Sequence, residues 1–526
     1  MRLNPLSPHI TWRSRGLDAL VGGVAVLGLA PFHLWPLMLA ALAGLFLRLT
    51  TRTSPAEGFS TAFWWAMGYF SLGMFWIGQA FIERGAAYIP LIIPLVLGLF
   101  VLLSLFWGGA GRLFVRAHLK PGWNVLAFMG LFFIAEFIRG HLFGGFPWNL
   151  PGYTFEAGTA LSQVASVIGV YGLTAIALIL GGLVGLAIQH RSIVTGGLAI
   201  GILGAQFIFG HLRLATPYSP AVMESNTSET TRLRLVHIPF AQSEMMDPAT
   251  ATPLTNRFFA ETLSAPLEGI THIVWPEGAV RGLAMDNRDF LSVFPSALEQ
   301  RPLPYFLFSS IRSEATPQDG LQYFNSAVIA GYPDGAPAIL GFADKKRLVP
   351  MGEIVPFSDF MASLGFEAIA ASFTPAPDKR PVAYPGLPPA SVQICYEVIF
   401  SGLTESGPAG APRLILNQSN DAWFGNLHGP AQHAAIARMR SVEEGLPMVR
   451  SAANGWSGTV DAFGRWIVAV PPDRAGHTDV ALPVSLRQTR FSRITNVIAL
   501  LIMLSVTLSS FLAGRDPSRG VEGYGA

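Results

Sequence analysis

Four polar clusters in the C-terminal half of the chain hold the residue types that acyl transfer through a thiol requires. They are Trp275-Pro-Glu-Gly278, Asp344-Lys-Lys-Arg-Leu-Val-Pro-Met-Gly-Glu353, Cys395-Tyr-Glu397 and Asn417-Gln-Ser-Asn-Asp-Ala-Trp-Phe-Gly425. Such chemistry needs a nucleophile, a base to take its proton, and a cation or set of amides to hold the oxyanion. Cys395 is the only cysteine in 526 residues, so it forms no intramolecular disulfide and serves either packing or thiol chemistry. Singly, each cluster is weak: a lone cysteine is most often a small buried hydrophobe, and carboxylates or lysine pairs at strand ends are usually solvated. Together they supply a thiol, several carboxylates and a lysine. No histidine is close in sequence to Cys395, which makes glutamate the natural base, while His237, His428 and His433 keep a Cys-His dyad open as a rival. No metal or cofactor is expected: His428 and His433 stand five apart and lack a further ligand at helical spacing.

The clusters must be positioned by the short apolar runs that precede them. β-type runs are predicted at Leu233 to Ile238, His272 to Trp275, Tyr305 to Ser309, Ser326 to Ala330, Ser391 to Cys395, Arg413 to Leu416, Met448 to Ser451 and Gly458 to Val460. Ala434, Ala435, Ala437 and Met439 favour a helix over Pro430 to Glu444, with Gly445 as its cap. Strands alternating with helices over about 250 residues indicate one α/β layered domain.

The rest of the chain is of another kind. Hydrophobic residues make up 51% of the sequence and charged residues 13%, and the mean hydropathy of +0.43 points to a membrane protein. Apolar stretches near 16–32, 33–49, 58–82, 87–111, 122–143, 161–188, 193–213 and 494–513 give about eight transmembrane helices. The first two are short and share the Ala30-Pro-Phe-His33 turn, so they could form a re-entrant pair. The expected organisation is a transmembrane domain over 1–214 with about seven spans, a catalytic domain over 215–490, and a last span with a tail over 491–526. Arg2, Arg13, Arg15, Arg48, Arg52, Arg112, Arg116, Lys120, Arg191, Arg515 and Arg519 fall on one side, which places the termini in the cytoplasm and the large domain outside it. Arg487, Arg490 and Arg493 run against this rule and are positioned to meet lipid phosphates. Net charge is +2 and no basic cluster is interleaved with aromatics, so nucleic acid is not an expected partner.

Inside the apolar part, Glu136 and Arg139 are three apart on one helical face and can pair. They either fix helix packing or line access for a polar headgroup. Gly144-Gly-Phe-Pro-Trp-Asn-Leu-Pro-Gly-Tyr153 follows as a helix-breaking loop whose aromatics, Trp148 among them, suit a membrane interface.

The ordered set Trp275-Pro-Glu277, Lys345 with Leu348-Val-Pro350 and Gly352-Glu353, Cys395-Tyr-Glu397, and Ser419-Asn-Asp-Ala-Trp-Phe-Gly425 followed by Ala437-Arg-Met-Arg440 resembles the nitrilase-superfamily domain of the apolipoprotein N-acyltransferase family. Leu29-Ala-Pro-Phe32, Gly68-Tyr-Phe-Ser-Leu-Gly-Met-Phe-Trp76 and Glu136-Phe-Ile-Arg139 extend that resemblance to the membrane portion. It implies a multi-span α-helical membrane protein carrying an αββα-sandwich nitrilase-like domain on the outer face of a bacterial inner membrane. It also implies ping-pong acyl transfer from the sn-1 position of a phospholipid, with phosphatidylethanolamine the expected donor, to the N-terminal amine of a diacylated apolipoprotein. Carried over residue by residue, Glu277 is the general base, Lys345 the oxyanion stabiliser, Cys395 the nucleophile and Glu353 a second carboxylate. Lys345 is preferred to Lys346 because it lies eight residues before Glu353. Tyr396, Glu397, Trp423, Asn420, Trp148, Arg139 and Glu136 match supporting positions, and a monomer is expected. The chain departs from the family at Arg347, usually histidine, at Met351, usually phenylalanine, and in Phe240 to Met246, which lacks a tryptophan. These departures bear on donor preference. The rival readings are a membrane-anchored nitrilase-type amidase or esterase that releases its acyl group to water, a non-catalytic lipoprotein-binding scaffold, and a transporter.

Overall fold

The computed structural model describes residues 11–215, 231–285, 289–298, 302–316, 320–350, 352–354, 373–377, 381–404, 410–482, 484–486 and 489–515. Arg2, Met351, Arg487 and Arg519 lie outside the described residues, as does the side chain of Arg493. The chain forms two compact units, Met1–Pro217 with Thr489–Ala526, and Tyr218–Gln488.

Among the described residues of the first unit, helical segments occupy all eight places where apolar stretches predict spans. Five are long and apolar enough to cross a membrane: Ala86–Arg116, Pro121–Gly144, Ala165–His190, Ile193–Ala215 and Asn496–Ala513. The helices at the other three places fall short of that measure in length or apolarity. Helix Trp12–Ala25 has 14 residues and rises about 21 Å, against a hydrocarbon core of about 30 Å. Helix Trp35–Thr50 is apolar but also short, and Pro55–Met74 has the length without the apolarity. Basic ends of these helices meet in space. Arg48 pairs with Asp18 and reaches Ser14, and Lys120 N donates to the Gly514 carbonyl at 2.9 Å beside a Leu119 to Arg515 bridge.

Among the described residues of the second unit the strands are β1 Arg232–His237, β2 His272–Val274, β3 Tyr305–Thr316, β4 Gly320–Gly331, β5 Ala338–Asp344, β6 Ala390–Ile394, β7 Leu414–Asn420, β8 Met448–Ala453, β9 Ser457–Val460, β10 Trp466–Val470 and β11 Gly476–Ala481. They form two sheets, one of order β11-β1-β2-β3-β4-β5 and the other β10-β9-β8-β7-β6. β1, β2 and β3 run parallel, as do β6, β7 and β8. Alternate residues of each strand face opposite ways. Leu307, Ala327 and Ile329 point into a core shared with Val392, Ile394, Leu414 and Leu416 of the other sheet. Phe306, Phe308 and Val328 point the opposite way, onto Leu254, Phe258 and Phe259 of helix Pro248–Thr262. Both faces are therefore dry, which is why the strands read as unbroken apolar runs.

Parallel neighbours need a crossover that lies on a sheet face. Helix Pro248–Thr262 makes it between β1 and β2, and helix Gly429–Glu444 between β7 and β8. Because the inner faces are occupied by the opposing sheet, the helices lie outside, giving helix, sheet, sheet, helix. The predicted helix over Pro430 to Glu444 is present, and Gly445 closes it in the left-handed region, its N–H bonded to the Ser441 carbonyl at 2.9 Å. Three strands, β5, β10 and β11, were not predicted from sequence. All three are sheet edges with one face largely exposed, although β5 and β10 are apolar in sequence and only β11 lacks an apolar run.

Candidate active site

The polar clusters converge because their strands end at the same edge of the sandwich. β2 ends just before Trp275-Pro276-Glu277, β5 just before Lys345, and β6 just before Cys395. Gln418 on β7 ties the sheets together there, its Nε2 donating to the Trp275 carbonyl at 2.7 Å. Gly278, which follows Glu277, has φ +85°, and a Cβ there would stand 2.9 Å from Asn420 Nδ2. Only glycine fits that turn without strain.

Cys395 opens a short 3-10 turn, Cys395–Ile399, and its φ is +48°. A left-handed non-glycine residue costs about 1–3 kcal/mol and persists only where its surroundings hold it. Glu397, fully buried, is one such hold. Its Oε2 accepts from Ile394 N at 2.8 Å, and its Oε1 accepts from Lys346 N at 2.7 Å and Arg347 N at 3.1 Å. One carboxylate thus fastens the turn that carries the thiol to the turn that carries the lysine.

Lys345, rather than Lys346, points into the site. Its Nζ lies 2.8 Å from Glu353 Oε1 and 3.8 Å from Glu277 Oε1. Asn325, on β4, bridges the two carboxylates, donating to Glu277 Oε1 at 2.7 Å and to Glu353 Oε1 at 3.0 Å. Glu353 Oε2 accepts from Val349 N at 2.9 Å, which folds the Lys345 to Glu353 segment back on itself. The Cys395 thiol also interacts with the Glu277 carboxylate, whose Oε2 is buried without a hydrogen-bond partner among the described residues.

These positions set the acid–base properties. Burial, with the Glu277 charge behind it, pushes the Cys395 thiol up to about 12, and Lys345 offsets part of that. Burial likewise raises Glu277 above the ordinary carboxylate range, with Lys345 drawing it back and Glu353 adding to the rise. Burial would lower the Lys345 ammonium, but Glu353 and Glu277 outweigh it and hold the cation. The thiol is therefore protonated at neutral pH and has a base of raised affinity beside it. A carbonyl carbon attacked by that thiol would develop its negative oxygen next to a fixed cation.

The other predicted residues fall into two groups. Tyr396 is buried edge-on against Phe400, centroids 5.2 Å apart, and Arg347 lies over the same Phe400 ring at 5.2 Å. Asn420 is buried and donates to Gln242 Oε1 at 2.8 Å, while Trp423 is half-buried in the turn that follows. Phe240, in the segment without the family's tryptophan, is buried and bonds Asn454 Oδ1 through its N–H. Glu136, Arg139 and Trp148 belong to the first unit. Glu136 and Arg139 form a fully buried pair, Trp107 Nε1 donates to Glu136 at 2.6 Å, and Arg139 donates to the Trp148 carbonyl at 3.0 Å. Trp148 itself is buried against Trp76, so in this unit the pair fastens the 142–149 loop to its helix.

Sequence reasoning missed Asn325, Gln418 and the Arg450 partner of Asp421. Of the histidines raised as rival bases, His237 bonds Ser457 Oγ at 2.9 Å, and His433 bonds Asp421 Oδ1 at 2.8 Å while also meeting the backbone of Cys395. Among the described residues no group of histidine, cysteine and carboxylates could hold a metal.

Comparison with known proteins agrees with both halves of the chain. Residues 21–183 match the family described as apolipoprotein N-acyltransferase N-terminal domain, and residues 305–491 match carbon-nitrogen hydrolase. Glu277 precedes the second match and joins the site through β2. The chain is 33% identical over 516 residues to an apolipoprotein N-acyltransferase of Caulobacter vibrioides, covering 95% of this chain and 94% of that protein. It is 32% identical to one of Rhizobium rhizogenes, covering 93% and 95%. Among solved structures, an amidase of the nitrilase superfamily from Nesterenkonia AN1 shares 16% identity with a TM-score of 0.33, covering 49% of this chain and 92% of that one.

Proposed function

The chain belongs to the apolipoprotein N-acyltransferase family, and on that premise we propose that it moves an acyl chain from the sn-1 position of a membrane phospholipid, through a thioester on Cys395, to the N-terminal amine of a diacylglyceryl-cysteine. The observation that carries this reading is the buried assembly of Cys395 with Glu277 and Lys345 at the joined strand ends.

In the first half-reaction Glu277 takes the Sγ proton as the thiolate attacks the ester carbonyl. Lys345 Nζ and nearby backbone amides hold the oxyanion, a role worth about 3–4 kcal/mol for one good donor. The carbon–oxygen bond then breaks and the departing glycerol oxygen takes the proton from Glu277, leaving a thioester and a lysophospholipid. In the second, the α-amine of the acceptor attacks the thioester and gives a proton to Glu277. The carbon–sulfur bond breaks, and Glu277 returns the proton to the Cys395 thiolate. Glu353 and Asn325 hold Lys345 and Glu277 in register, Glu397 and Asn420 position the turns, and Tyr396 and Trp423 line the approach. In the membrane unit Glu136, Arg139 and Trp148 brace a loop.

Topology supports a lipid donor. Each buried methylene holds an acyl chain in the bilayer by about 0.8 kcal/mol, so a catalytic domain anchored by transmembrane helices meets its donor where the donor resides. On this reading the chain crosses a bacterial inner membrane about eight times, works as a monomer without cofactor or metal, and presents the catalytic domain on the periplasmic side, as the basic residues at the opposite helix ends favour.

A hydrolytic amidase would use the same residues and differ only in what attacks the thioester. With labelled phospholipid and a diacylated lipopeptide, label is expected to appear in triacylated peptide. Free fatty acid accumulating with no triacylated product would replace transfer by hydrolysis.

A further inference from the structure

Behind the nucleophile's turn lies a polar cluster that no step of the acyl transfer uses. Asp421, His433 and Arg450 are all fully buried. His433 comes from helix Gly429–Glu444, which packs against both the Cys395–Ile399 turn and the Asp421–Phe424 turn. Its Nδ1 lies 2.8 Å from Asp421 Oδ1. Arg450 donates to Asp421 Oδ2 at 2.8 Å, to Asn417 Oδ1, and to the Trp456 carbonyl at 2.9 Å. Ser419 Oγ donates to Asp421 Oδ1 at 2.7 Å, and Phe424 sets its ring edge-on to the imidazole, centroids 5.5 Å apart. The imidazole also interacts with the backbone of Cys395.

Burying three ionisable groups is costly, and apolar residues of similar volume often serve stability as well or better. What a hydrogen-bonded polar network adds is fixed geometry. Cys395 is where geometry is needed, since its left-handed backbone is unfavourable and its thiol must face Glu277.

We propose that His433 is a positioning residue for the nucleophile: oriented by Asp421 and Arg450, it holds the main chain of Cys395 in the left-handed turn that aims the thiol at Glu277. The proton from the thiol still goes to Glu277. Asp421 carries a charge that opposes a thiolate at Cys395, and its pairing with Arg450 keeps the scaffold compatible with the chemistry. The inference rests on Cys395 being the acyl-carrying nucleophile.

Full-length protein in detergent, as wild type, His433→Gln, His433→Phe and Cys395→Ala, separates the outcomes. Three quantities are measured: single-turnover acylation by phospholipid, KM for the donor, and the pH profile of iodoacetamide alkylation, which reports Cys395 alone because it is the only cysteine. The Gln amide can replace the imidazole's hydrogen bonds, so acylation is expected within about tenfold of wild type with the same ascending pH limb. Phe cannot, and a misplacement of about 1 Å is expected to lower acylation about 10²-fold with KM unchanged. His433→Phe acylating at the wild-type rate would overturn the proposal. So would His433→Gln being as inactive as Cys395→Ala or losing the ascending limb, either of which would make His433 the base. If His433→Phe does not fold, the Gln variant decides on those same two readouts. A wild type that forms no adduct on Cys395 would sink the underlying reading instead, and is recognised without any His433 variant.

Discussion

Cys395→Ala is expected to lower N-acylation by at least ~10⁴-fold, the scale at which a covalent nucleophile is lost, while leaving the protein folded. The side chain is buried but small, so its removal takes away one sulfur, a packing loss of about 1 kcal/mol. The effect is therefore chemical. Alanine also relieves nothing at φ +48°, since both residues carry a Cβ, so backbone strain is unchanged and the comparison isolates the thiol. Acylation assays with purified variant and a thermal unfolding curve measure the two effects separately. A Cys395→Ala protein that acylates at the wild-type rate would remove this thiol from the reaction.

Lys345→Met should give the second largest loss, because the lysine does two things at once. Removing an oxyanion donor costs about 10²–10³-fold in rate. The same change removes the cation that draws Glu277 down, leaving Glu277 and Glu353 facing each other around Asn325. A carboxylate that loses a neighbouring cation binds its proton more tightly, so the pKa of Glu277 rises further and less of it is available as a base at a given pH. The activity of wild type is expected to rise with pH along a limb above the ordinary carboxylate range. In Lys345→Met that limb should move to higher pH, so the deficit is larger at acidic pH than at alkaline pH. A rate loss that is uniform across pH would leave only the oxyanion role. Lys346→Met is the control: Lys346 contributes its backbone N–H to Glu397, which the substitution keeps.

Glu277 and Cys395 were legible because each stands where a buried strand stops, interrupting an apolar run in a way visible without coordinates. Lys345 follows an edge strand instead, and was singled out by its spacing of eight from Glu353. Asn325 interrupts nothing comparable. It sits within β4, between Phe324 and the apolar run that starts after Ser326, in a stretch of mixed polarity, and its role depends on two carboxylates 48 and 28 residues away. Arg450 was similarly hidden, 29 residues from Asp421, and His433 was named as a rival base without its pairing to Asp421, 12 residues away, being readable. Of the edge strands that were missed, β11 has no apolar run to mark it, whereas β5 and β10 are apolar in sequence and were readable. In the membrane unit, spacing alone placed Glu136 beside Arg139, but it could not give Trp107 and the Trp148 carbonyl as their partners. Among the described residues, length and apolarity together admit five helices as spans, while Trp12–Ala25 and Trp35–Thr50, with 14 and 16 residues, are shorter.

The most direct measurement is the intact mass of the wild-type protein after exposure to phospholipid without acceptor, followed by addition of a diacylated lipopeptide. The expected result is one acyl group per chain, on the peptide containing Cys395, released by hydroxylamine as a thioester and discharged when lipopeptide is added. Triacylated lipopeptide formed with no such adduct, or an adduct on Cys395 that lipopeptide does not discharge, would contradict acyl transfer through this thiol.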